Sequence, residues 1–162
     1  MSDSVPIRIW TAASHHAAFR CGGWAFVREA GGALTGVAGG DRYVTAERME
    51  LAGLAAALGD LPKDATALVI HTTSAKLAKA GGLIAGNAPE EEAPSEDLDL
   101  WARIVTAAKG KTVRLVRVAA DPKTPVAFAV AWAELARDKA KAAGAFTSAI
   151  PKPNLAKVMG LG

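Results

Sequence analysis

Apolar and polar positions alternate in Pro6–Thr11, Gly23–Arg28 and Ala33–Ala38, and the β-branched and aromatic residues of the first two mark them as strands. Ala12–Gly22 breaks the alternation and reads as a loop, whereas Gly31-Gly32 suits the tight turn of a hairpin. The three segments predict an antiparallel meander. Its last strand is rich in glycine, which suits an edge, open to pairing with a second copy.

The period then changes. Met49, Leu51, Leu54, Ala55 and Leu58 recur at helical spacing behind Thr45, a suitable N-cap, with Glu47 in the first turn and Gly59 and Pro62 as the stop. Glu50 falls among the apolar positions near the start of that helix, where a carboxylate is costly to desolvate unless it is paired or holds a metal. The continuous apolar run Ala65–Thr72 reads as a buried strand of the parallel kind, and Ser74 as the cap of a short helix reaching Ile84. Gly86–Ser95, with its prolines and Glu90–Glu92, is a solvated loop. Leu98, Trp101, Ile104 and Val105 predict a helix over Asp97–Ala108, Thr112–Val118 alternates as a fifth strand, and Val126–Ala143 is an alanine-rich helix. Trp10, Trp24, Trp101 and Trp132 sit on apolar faces and belong to the expected core. The predicted architecture is an α/β domain over residues 1–144. Its five-stranded mixed sheet joins the antiparallel meander to parallel strands four and five, with helices on both faces. Residues 145–162, with Pro151 and Pro153, read as a C-terminal tail whose Leu155–Leu161 is apolar enough to dock.

Composition narrows the setting. A chain of 162 residues that is 51% apolar fits one domain, and no apolar run approaches the roughly 18 residues needed to span a bilayer. The N-terminus lacks the basic-then-apolar pattern of a secretory signal, so the expectation is a soluble, cytoplasmic protein with no membrane partner. A single cysteine, Cys21, excludes an internal disulfide and a zinc site built from several thiolates. It reads as an ordinary free thiol in a loop. The pair His15-His16 has no acid or cysteine near it in sequence and carries no metal reading. The formal charge is +3, but acids crowd Glu90–Asp99 while bases dominate from Arg103 onwards, which polarises the surface.

Five short motifs occur in order. They are Ile9–Ser14 followed by Gly22-Gly23-Trp24, then Arg48-Met49-Glu50-Leu51, Thr72-Thr73-Ser74, Asp99-Leu100-Trp101, and Ala133-Glu134-Leu135-Ala136. In order and approximate spacing the chain resembles the type I ribonucleases H over about residues 6–143. The resemblance implies the fold already predicted and a chemistry of its own, the hydrolysis of the RNA strand of an RNA–DNA hybrid by two magnesium ions among four carboxylates. Position by position, the family's first-strand aspartate is here Ala12 and the following glycine Ala13; the helix glutamate is Glu50; the next aspartate is Thr73 and the last Ala133. The family's histidine before the final helix aligns with Lys123, which would add positive charge near the site and offer Glu50 a partner.

One carboxylate of four does not hold two divalent ions, so the resemblance implies a ribonuclease H relative that has lost its nuclease activity, with no catalytic residues and no magnesium unless acids elsewhere rebuild a site. Asp121, Glu134 and Asp138 are the acids near enough in sequence for that. His71 is an expected hydrogen-bond partner for Glu50 in the vacated site. The family's asparagine pair that contacts nucleic acid is here Ala46 and Glu47, although Thr45 matches, and its basic protrusion is here Glu90–Glu92. Thr45, Lys76 and Lys79 remain the candidates for nucleic-acid contact. The reading is a non-catalytic module with a protein partner or a second copy of itself, ahead of nucleic acid; the alternatives are hybrid binding without cleavage and a rebuilt metal site.

Overall fold

The computed structural model describes residues 6–59, 61–62, 64–81, 84 and 94–161. Strands β1 (Ile7–His16) and β2 (Cys21–Ala30) pair antiparallel across a 3-10 turn at Ala17–Phe19, and β3 (Ala33–Arg42) returns along β2 after the Gly31-Gly32 turn. Helix α1 (Ala46–Leu58) leads to β4 (Ala67–Thr72), parallel to β1. Helices α2 (Ala75–Ala78) and α3 (Leu98–Ala108) lead to β5 (Thr112–Arg117), parallel to β4. Helix α4 (Pro125–Ala143), strand β6 (Phe146–Ala149) and the single turn α5 (Lys152–Leu155) complete the order. All six strands form one sheet, β5-β4-β1-β2-β3-β6.

Alternation divides the sheet into two faces. Ile7, Ile9, Leu68 and Ile70 face α1 and α3, whose Leu51, Leu54, Leu100 and Ile104 complete the larger core. Trp10, Ala25, Val27 and Ala38 face α4, whose Val126, Ala133 and Ala136 complete the other. Trp10 and Trp24 are buried as expected, while Trp101 and Trp132 are half-buried.

Helix α4 lies unusually close to the sheet. Gly23 and Gly40 face its backbone directly: a Cβ at Gly23 would collide with the Ala133 carbonyl and the Arg137 amide, and one at Gly40 would come within 2.9 Å of the Ala136 oxygen. The helix answers with a stripe of alanines, Ala129, Ala133, Ala136 and Ala140, all buried. Sheet arginines close the helix ends. The Arg42 guanidinium donates to the carbonyls of Ala140, Lys141 and Ala142 at 2.9–3.1 Å, and the buried Arg28 donates to the Ala57 carbonyl of α1 at 3.0 Å. The Ala140 carbonyl also accepts from the Gly144 amide at 2.8 Å, whereas Lys141 and Ala142 belong to the last turn, whose carbonyls a helix leaves open, and each cation opposes the negative end of its helix dipole.

Four expectations are corrected. Residues 12–22 are mostly strand rather than loop, because Ala12, Ala13 and Ser14 pair in register with Ala25, Trp24 and Gly23. Small side chains erase the apolar signal but leave the backbone ladder intact. Cys21 therefore lies in β2, buried, and not in a loop. The sheet has six strands and not five: residues 146–149, expected in a tail, pair antiparallel with β3. For the same reason β3 is not an edge open to a second copy. Its glycines serve packing, since Gly36 leaves room for Leu155 and Ile150. The loop expected over 86–95 and Glu90–Glu92 lie almost entirely outside the described residues, as does part of the helix expected to reach Ile84. No helix among the described residues is long and apolar enough to cross a membrane.

The segment after β6 continues across the α4 side of the sheet. Ile150 and Leu155 are buried there, and the Leu161 carbonyl accepts from the Arg8 guanidinium at 3.0 Å. Leu155→Ala is therefore expected to cost about 2–5 kcal/mol in urea unfolding, as for a core leucine; a frayed tail would show almost none.

Candidate functional site

The parallel β1–β4 pairing ends with Thr11 beside Thr72, so Thr73, just past the carboxyl end of β4, lies beside Ala12, where β1 runs on paired with β2 alone. Such strand ends are where open α/β sheets place their sites. Helix α1 brings Glu50 to the same point, because the Thr45 hydroxyl accepts from the Arg48 amide at 3.1 Å and fixes where the first turn begins. The result is a recess of about 30 Å³ lined by Thr11, Ala12, Ala13, Glu50, Thr72, Thr73, Ser74 and Leu77.

Its polar chemistry is carried by hydroxyls. The Thr72 hydroxyl accepts from the Ser74 amide at 3.0 Å, and the Ser74 hydroxyl accepts from the Leu77 amide at 3.1 Å, capping α2. The Ser74 side chain also stands next to the Glu50 carboxylate and favours its charged form. Burial pushes the Glu50 carboxyl above its ordinary value of 4.5, with Glu47 adding to the rise, while Ser74 and the charge of Lys76 act against it.

Three of the aligned positions thus meet: Ala12, Glu50 and Thr73. Ala133 does not line the recess; it is fully buried where α4 presses on β2. Lys123 is exposed in the turn before α4, where its amide donates to Asp121 at 2.9 Å, and the cation that acts on Glu50 is Lys76 instead. The expected Glu50–His71 pair is also corrected. His71 lies on the α4 side of the sheet, its Nδ1 bonded to the Ile9 carbonyl at 3.0 Å and its ring stacked on Trp10 at 5.0 Å. Glu50 comes from α1, on the opposite face. Asp138 pairs with Arg137 at 3.0 Å, Asp121 holds its own turn, and Glu134 is exposed on α4, so none of the three rebuilds the recess. Among the described residues no three His, Cys, Asp or Glu side chains come together in a metal-holding group. His15 and His16 diverge, the first to the Val44 carbonyl at 2.7 Å and the second against the Phe19 ring.

A larger groove of about 480 Å³ adjoins the recess, with Lys76 and Lys79 along one side, Glu47 and Glu50 along another and Trp101 among its apolar residues. Thr45 is spent on the cap and does not line it. Two features of this region are not read from the sequence. Arg48 forks onto Asp97 at 2.9 Å and onto both Asp99 oxygens at 2.9 and 3.1 Å, tying α1 to α3 and holding the exposed Asp99 carboxyl down at about 2. From α4, Arg137 donates to the Ser14 hydroxyl at 2.9 Å. The only signals for the first are acids at the start of α3, which suit any helix.

A raised carboxyl favours the protonated form in the fold. The stability tied to Glu50 is therefore full below pH 4.5 and is lost as pH rises through the higher folded-state value. Glu50→Gln, which keeps an acceptor for Ser74 and removes the charge, is expected to raise Tm at pH 7 and to leave it unchanged near pH 3, as measured by thermal scans across that range.

No family model and no curated protein matches the chain. Solved structures do. The N-terminal RNase H domain of a Mycobacterium tuberculosis protein, solved as a fusion with maltose-binding protein, matches with a TM-score of 0.62 and 21% identity over 86% of this chain and 97% of that one. LC9-RNase H1, a type 1 RNase H with the type 2 active-site motif, matches with a TM-score of 0.66 and 17% identity over 96% and 82%. LC11-RNase H1, in complex with an RNA/DNA hybrid, matches with a TM-score of 0.65 and 19% identity over 83% and 98%. With its sheet order, its flanking helices and Glu50 at the strand ends, the chain has the ribonuclease H fold.

Proposed function

We propose that this chain binds nucleic acid without cleaving it, as a catalytically silent protein on a ribonuclease H scaffold. The observation that carries the reading is the recess itself. A methyl group, Ala12, and a hydroxyl, Thr73, stand around the single carboxylate of Glu50 where the β1–β4 pairing ends. Magnesium is a hard cation that gives up its waters only to strong oxygen ligands, and a two-ion site needs several carboxylates between the ions. About 30 Å³ holds roughly one water molecule. The residues do not fit a pair of magnesium ions, and no reaction step is assigned to them.

Nucleic acid comes first among partners for two reasons. A solved structure of the same fold holds an RNA/DNA hybrid. The strand that offered pairing with a second copy, β3, is already occupied by β6. A protein partner is the second reading, favoured by the acids Glu47, Glu96 and Asp97 in the groove beside Glu50, which repel phosphate.

The test is a labelled RNA–DNA hybrid and its separated strands, with magnesium, manganese or chelator. The expected result is no cleavage under any condition, together with binding that survives chelation and weakens roughly ten- to hundred-fold between 50 and 200 mM salt, as for two to four neutralised phosphates. Metal-dependent cutting abolished by Glu50→Gln would overturn the silent site. Failure to bind any of the nucleic acids at low salt would transfer the scaffold to the protein-partner reading.

A further inference from the structure

Beyond Ala12, β1 continues to His16 and turns through Ala17–Phe19 into β2. Two residues other than glycine take the left-handed conformation in this neighbourhood, Arg20 at φ 51° and Tyr43 at φ 57°. They are joined: the Tyr43 and Val44 amides both donate to the Arg20 carbonyl, at 2.5 and 3.3 Å, and the His15 ring holds the Val44 carbonyl at 2.7 Å. The turn after β1–β2 pairing begins and the turn leading into α1 are thus stitched into one surface.

That surface displays aromatic rings. Tyr43 is 81% exposed and Phe19 52%. A left-handed backbone costs energy for any side chain with a Cβ, and a tyrosine this exposed recovers almost none of it through burial. The fold would be better served by glycine or asparagine at 43. Cations accompany the rings. The Lys141 ammonium lies 3.4 Å from the Phe19 ring centre, and the exposed Arg20 guanidinium has no hydrogen bond or ion pair among the described residues.

We propose that Tyr43, Phe19, Arg20 and Lys141 form a binding surface for single-stranded nucleic acid, beside the Glu50 recess and independent of it. A projecting ring offers a face on which an unpaired base stacks, and the neighbouring cations meet the phosphates on either side. A duplex keeps its base faces occupied, so the chemistry selects single strands or overhangs over paired hybrid. The assignment rests on the reading of the chain as a nucleic-acid binder and names the form it binds.

Tyr43 is the only tyrosine in the chain, so a tyrosine-labelled protein carries a single ring reporter. The experiment titrates an eight-residue oligouridylate and a blunt RNA–DNA hybrid of equal length into the wild type, Tyr43→Asn and Tyr43→Phe, following affinity, the Tyr43 ring resonances and Tm. Expected are tighter binding of the single strand than of the blunt hybrid, an upfield shift of the Tyr43 ring signals, and a loss of roughly five- to hundred-fold in Tyr43→Asn that Tyr43→Phe largely avoids. Tm should rise in Tyr43→Asn while binding falls, an opposition that a merely structural tyrosine would not produce. Single-strand binding unchanged in Tyr43→Asn, or tighter binding of the blunt hybrid, would overturn this surface while leaving nucleic-acid recognition standing. No binding of either probe would overturn both.

Discussion

The contact between α4 and the glycines of β2 and β3 governs much of the molecule. Removing two Cβ atoms, at Gly23 and Gly40, lets a helix backbone rest on a strand backbone, and the helix meets them with buried alanines. Dispersion contacts multiply at that distance although each is weak. The same closeness brings the end of α4 within reach of Arg42, whose guanidinium closes three carbonyls at once. It also decides the chemistry at position 133. An aspartate there would put a charge where the helix leaves no exposed surface, with no cation or metal provided to meet it.

The recess is positioned by the backbone before any side chain is considered. Parallel pairing of β1 with β4 brings positions 12 and 73 together whatever residues stand there, and the cap at Thr45 delivers Glu50 to that point. Around Glu50 the polar groups are those of Thr72 and Ser74, the first accepting from the Ser74 amide and the second capping α2 through the Leu77 amide. Burial there raises the proton affinity of the carboxylate, and Ser74 and Lys76 act against the rise.

How much of this is legible in the sequence depends on whether the signal is local. Helix α1 is, since Thr45, Glu47 and the apolar spacing from Met49 to Leu58 each point to it independently. The far half of β1 is not, because Ala12–Ser14 have no bulk and their extended state is imposed by β2 across the ladder. Strand β6 is four residues, exposed along most of its length, and exists because β3 offers it hydrogen bonds. Of the site, the residues at 12, 73 and 133 are read directly as an alanine, a threonine and an alanine, and the meeting of Ala12, Thr73 and Glu50 follows from the fold. The partner of Glu50 is not. Ser74 is readable as a helix cap, but its place beside Glu50 depends on which sheet face α1 covers, and spacing places His71 without saying that α1 lies on the other side.

With β6 on one flank, the longer margin of the sheet that has no neighbouring strand among the described residues is β5. The Thr112 and Val118 amides donate to Thr66 and Thr72, so alternation turns the backbone groups of Val113, Leu115 and Arg117 outward. Arg114 and Arg117 stand exposed along that margin. Two copies meeting margin to margin would bring guanidinium against guanidinium while losing their water, so the interval most able to seed runaway β-aggregation carries its own electrostatic deterrent.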